Sequence, residues 1–174
     1  RLLVMSATLD GTAVARLLDD APVITSEGRA YPVETRHIDP SGLRRIEDAV
    51  ASAALTALDE ETGNILVFLP GVAEIRRVEK LLREASTGPG VLITTLYGDL
   101  PQDRQDAAIG PTPPGLRKIV LATSIAETSL TIEGIRVVID SGLMRVSRFD
   151  PGSGMTRLET IKVSQASADQ RRGR

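Results

Sequence analysis

The strongest constraint on the fold is residues 119–142, IVLATSIAETSLTIEGIRVVIDSG. Two short apolar runs, 119–122 and 137–139, bracket a polar turn. Each run suits a strand buried on both faces of a parallel sheet. Between them, Thr123, Ser124, Thr128, Ser129 and Thr131 make half of a ten-residue segment hydroxyl-bearing. Open α/β sheets bind ligands just beyond the carboxyl ends of their strands. Hydroxyls and backbone N–H groups at such a turn can hold phosphate oxygens. On the residues alone, a βα loop whose Ser and Thr cap a short helix accounts for the stretch equally well.

The rest of the chain alternates in the same way. Residues 2–5 read as a strand and Ser6-Ala7-Thr8 as the turn after it. A short helix is expected at 12–18 and a strand at 22–25. Gly28, Pro32 and Pro40 mark residues 26–40 as a connector, with 33–38 extended and His37 at the surface. Leu43, Ile46, Val50, Ala54 and Leu58 predict an amphipathic helix over 43–59, ended by Gly63-Asn64. Next come a buried strand at 65–69, a Pro70-Gly71 turn and a helix at 72–84 with Ile75, Val78, Leu81 and Leu82 inward. A strand at 91–96 and a helix at 101–109, opened by Pro101, lead to a Pro- and Gly-rich loop at 110–115. This alternation predicts an α/β fold with a mainly parallel sheet and right-handed crossovers. After Gly142 the pattern changes. Two extended stretches, 144–149 and 155–163, flank Asp150-Pro151-Gly152-Ser153-Gly154 as a β-hairpin, and a helix starts at Ala166.

Composition narrows the function. The chain has 174 residues, enough for one good core, so one domain and a fragment are expected. Without Cys there is no disulfide or thiolate metal site, and one His excludes a multi-His zinc centre. No apolar run approaches the ~20 residues that cross a bilayer, and no signal peptide is present, so a cytoplasmic protein is expected. The chain starts at Arg1, straight into a strand-like run, as a piece of a longer protein would. Net charge is −2. Residues 143–174, however, carry seven Arg or Lys against three acids, a local +4 on a body of net −6. That end can face phosphates or be a solvated basic tail. With two Phe, two Tyr and no Trp, an RNA contact would rest on the backbone, not on base stacking.

ATSIAETSLTI, residues 122–132, resembles motif V of the DEAH-box ATP-dependent RNA helicases. Ser6-Ala7-Thr8 resembles motif III, Leu66 through Gly71 resembles motif IV, and Gln170-Arg171-Arg172-Gly173-Arg174 resembles the start of motif VI, all in the family's order. Leu96 through Pro101 and Thr131 through Ile135 are similar to the bacterial HrpB-type branch. The resemblance implies that residues 1–25 close a first RecA-like domain, with Ser6 and Thr8 coupling nucleotide state to the second. Residues 41–174 would be that second RecA-like domain, whose hairpin is thought to help part strands. It implies ATP with Mg2+ as cofactor, and RNA and the first RecA-like domain as partners. Gln170 would help hold the attacking water and γ-phosphate, and Arg174 would be the first arginine finger. The second finger lies beyond the last residue.

Ser129 and Glu133 would lie nearer the nucleotide, while Gly71, Thr123, Ser124 and Thr131 would face RNA. Ser124 stands where Asn is commoner. Ile109 is followed by Gly110, where relatives often place an aromatic that stacks on the base, so base selectivity should be weak. The chain carries neither GxxxxGK(S/T) nor DEAH, so hydrolysis by the chain alone is not expected. A non-catalytic α/β module gripping an anion or a protein at the Ser/Thr turn is the alternative.

Overall fold

The computed structural model describes residues 4, 11–25, 32–39, 45–85, 88–127 and 131–174. The expected strand at 2–5 apart from Val4, Ser6-Ala7-Thr8, residues 26–31 and 40 of the connector, Leu43 and Ser129 lie outside these residues. Two compact units appear, Arg1–Thr35 and Arg36–Arg174, and the division falls inside the expected 26–40 connector. In the first, helix α1 spans Gly11–Leu17. Residues 22–25 do not form the expected strand. Val23 and Ile24 are exposed, and an apolar pair becomes a strand only when a neighbour completes its ladder. Residues 33–38 likewise carry no ladder, and His37 is at the surface as expected.

The second unit follows the predicted alternation. Its elements are α2 (Ile46–Glu60), β1 (Asn64–Phe68), α3 (Val72–Glu84), β2 (Val91–Leu96), α4 (Gln102–Ile109), β3 (Arg117–Ala122) and β4 (Ile135–Asp140). After these come β5 (Leu143–Asp150), β6 (Met155–Lys162) and α5 (Gln165–Arg172). The first four strands form one parallel sheet in the order β2-β3-β1-β4, and β5 and β6 pair antiparallel as the hairpin. Alternation of side chains across the central strands separates two cores. Ile65, Val67, Ile119 and Leu121 pack with α2 and α3, whereas Leu66, Phe68 and Val120 pack with Ala108, Ala126 and Ile132.

Several local expectations are corrected. Strand β4 is not buried on both faces, because it is an edge strand and its residues are half-exposed or exposed. Pro101 is the N-cap of α4, one position before the helix. Asn64 opens β1 instead of ending α2. Leu81 is only half-buried, at the rim of the stripe formed by Ile75, Val78 and Leu82. Lys118, inside β3, is almost fully buried. Its ammonium donates to the carbonyls of Ala108 at 3.0 Å and Gly110 at 2.5 Å. These carbonyls end α4, where a cation meets the negative end of the helix dipole. Burial pushes the Lys118 pKa down.

Candidate functional site

Parallel strands deliver their following loops to one edge of the sheet. Leu69 N donates to Ala122 O at 2.8 Å and Ser141 N to Phe68 O at 3.1 Å, so β1, β3 and β4 end side by side. Pro70-Gly71, Thr123 and Ser141 therefore leave the sheet as neighbours. Gly71 is buried and caps α3. Arg145 of β5 fills the space a side chain there would take: a Cβ on Gly71 would stand 2.5 Å from its Nη1. Arg145 also reaches Glu74 Oε1 at 3.3 Å, tying the hairpin to the first turn of α3. Thr123 is half-buried, its N–H donating to Leu96 O at 3.1 Å, and it starts a 3-10 turn at Ser124–Ala126 in which Ser124 is exposed.

Beyond that turn an open cavity of about 380 Å³ is lined by Thr131, Glu133, Gly134, Gly173 and Arg174 over Leu66. Asn64 shapes this wall. Its side-chain amide donates to Glu133 O at 3.1 Å, and its backbone N–H donates to Gly134 O at 2.9 Å. Gly134 has φ +75, and a Cβ there would meet Asn64 Nδ2 at 2.9 Å, so glycine is required on both counts. Thr131 and Glu133, expected to face RNA and nucleotide respectively, thus share one cavity with Arg174. Gln170 is half-buried on α5, and it, Gly71, Thr123 and Ser124 do not line the cavity.

One central residue was not legible beforehand. Arg171 is 1% exposed. Its Nη1 donates to Asp140 Oδ1 at 2.7 Å, its Nε to Glu127 Oε2 at 3.2 Å, and its guanidinium lies 4.9 Å from the Phe68 ring centre. Glu127 also accepts from the Ser167 hydroxyl, and its backbone carbonyl accepts from Arg174. Arg172, by contrast, is exposed and pairs with Asp169 within its own helix. Arg171 and Arg172 are adjacent in QRRGR, and nothing local in the sequence separates them. The signal was the acidic residue inside the Ser/Thr-rich turn, Glu127, which needs a cation once buried.

Among the described residues no group of three or more His, Cys, Asp and Glu stands close enough to hold a metal ion. None of the described helices is long and apolar enough to cross a membrane. An arginine and a glutamate, Arg174 and Glu133, line the cavity. A planar, permanently charged fork fits phosphate oxygens in pairs.

Comparison with known proteins places the chain among helicases. The ATP-dependent RNA helicase HrpB of Escherichia coli is 53% identical over the whole chain, which covers 21% of that protein. The pre-mRNA-splicing factor ATP-dependent RNA helicase prp22 of Schizosaccharomyces pombe is 41% identical over 179 aligned positions, again the whole chain but 15% of the relative. The chain thus spans about a fifth or less of the curated relatives it matches. Crystal structures of the E. coli DExH-box NTPase HrpB and of the E. coli DEAH/RHA helicase HrpB superpose on 97% of the chain with TM-scores of 0.86 and 0.87, covering 21% and 22% of those chains. The family model described as helicase conserved C-terminal domain matches residues 47–174, and the chain belongs to that family.

Proposed function

We propose that this chain works as the second RecA-like domain of a longer ATP-dependent RNA helicase, facing a first RecA-like domain whose end is residues 1–25. The single observation that carries the reading is the convergence of Arg174, Glu133 and Thr131 on one cavity over Leu66, on one face of the parallel sheet. In this reading ATP binds between the two domains, with its Mg2+ held by groups outside this chain. Arg174 donates its fork to the γ-phosphate as negative charge shifts there in the transition state. Gln170 holds the attacking water against that phosphate, and Ser129 and Glu133 stand nearer the nucleotide. RNA runs as a single strand over Gly71, Thr123, Ser124 and Thr131, held by its backbone. A cytoplasmic location belongs to the same reading.

Charge supports the division of labour. An arginine finger is worth ~10³–10⁵ in rate when it meets the transferring phosphoryl group. Because it acts only in the closed state, its loss lowers kcat without matching loss of ATP binding. The test is steady-state ATPase of the full-length Arg174→Ala protein at saturating RNA. A fall in kcat of about a hundredfold or more, with little change in KM, is expected. A kcat within about threefold of wild type, under about 1 kcal/mol, would sink the finger assignment.

A further inference from the structure

Helix α5 has the sequence QASADQRR, with two alanines as its apolar content and Arg171 as its one buried residue. Apolar burial therefore cannot hold it against the sheet. What holds it is polar and arrives from four places: Asp140 at the end of β4, Glu127 after the 3-10 turn, the Leu143 carbonyl at 3.4 Å and the Phe68 ring at the end of β1. Buried ion pairs of this kind contribute little net stability, since desolvation offsets the attraction. They do select one arrangement, because a planar fork meets two carboxylates from different elements in only one rotation of its helix. Arg174 lies three residues beyond Arg171, past the helix end, and donates to the backbone of the same Glu127.

We infer that Arg171 is a positioning residue: its buried pairing with Glu127 and Asp140 sets the rotation of α5 and so aims Arg174 into the cavity shared with Glu133. The inference rests on the reading of Arg174 as the group that meets the phosphate. A lysine at 171 keeps the charge but cannot span both carboxylates, so α5 stays attached with its rotation loosened.

The test is a double-mutant cycle in the full-length enzyme, with steady-state ATPase at saturating RNA. Arg171→Lys should lower kcat about tenfold while ATP KM and RNA affinity stay within about twofold. In the Arg174→Ala background the same change should cost less than about twofold, because the group it positions is already gone. A tenfold loss in both backgrounds would show Arg171 acting apart from Arg174 and overturn the inference. So would a kcat for Arg171→Lys within about twofold of wild type. An Arg174→Ala enzyme with near-normal kcat would instead overturn the finger reading itself, so the two failures are distinguishable. If Arg171→Lys does not fold, Glu127→Gln enters the same cycle with the same expected non-additivity.

Discussion

Asn64 and Glu133 are joined side chain to backbone: the Asn64 amide donates to the Glu133 carbonyl at 3.1 Å, from the start of β1 to the loop before β4. The same side chain donates to Thr112 Oγ1 at 2.9 Å and accepts from Lys118 N at 2.8 Å. Asn64→Leu keeps the volume but strands these partners in a buried place. A loss of about 3 kcal/mol in urea unfolding is expected, together with a raised KM for ATP in the full-length enzyme as the Glu133 wall shifts. An unchanged unfolding midpoint would show that water replaces the amide without cost.

Thr123 and Thr131 share a chemistry but not a place. Thr123 sits at the exit of β3, and Thr131 on the cavity with Arg174. Thr123→Ala should weaken RNA affinity by about 1–2 kcal/mol and leave basal ATP hydrolysis nearly intact. Thr131→Ala should do the same if the RNA reading holds. A fall in its basal rate would move Thr131 to the nucleotide side. Titration of labelled single-stranded RNA beside the two hydrolysis rates separates these outcomes.

Gly71→Ala forces Arg145 to move, since the new Cβ would stand 2.5 Å from its guanidinium. The backbone there is extended, with φ −167, so the substitution carries no strain of its own. Loss of the partly exposed Arg145–Glu74 pair should cost at most about 1 kcal/mol. RNA affinity should fall more visibly, and in an Arg145→Ala background Gly71→Ala should no longer affect stability. An equal loss with and without Arg145 would assign the space at Gly71 to another group.

The Arg77–Glu47 contact, 2.8 Å, pins α3 to the first turn of α2. Burial pushes the Glu47 carboxyl up, but the hydrogen bond from Arg77 and the other favourable contacts outweigh it and leave the pKa below 4.5. A depressed carboxylate stabilises the fold above its unfolded pKa and loses that contribution as pH falls through the folded value. Stability should therefore decline below pH 4.5, and Glu47→Gln should flatten that part of the acid limb while costing about 1 kcal/mol above it. Urea midpoints measured on both sides of 4.5 check this. Parallel acid limbs for the two proteins would exclude Glu47 as a contributor.

Local pattern alone determined most of the second unit. The bounds of α3 and β2 match their expected residues one for one, because a helical stripe and a short apolar run each carry their own period. The hairpin was equally legible from the turn residues between two extended stretches. The motif V and motif VI segments likewise identified the family from residues near one another in sequence. Tertiary structure decided the rest. Strand order made β4 an edge, and no periodicity in β4 encodes which strand lies beside it. Lys118 reads as a polar residue ahead of an apolar run until the carbonyls at the end of α4 surround it. Arg171 reads as a solvated residue of a polar helix, because the charges that bury it come from Glu127 and Asp140, 44 and 31 residues earlier in the chain. Hydrophobic period is a property of neighbours in sequence. The partner of a buried charge is a property of neighbours in space, and only the folded chain brings those together.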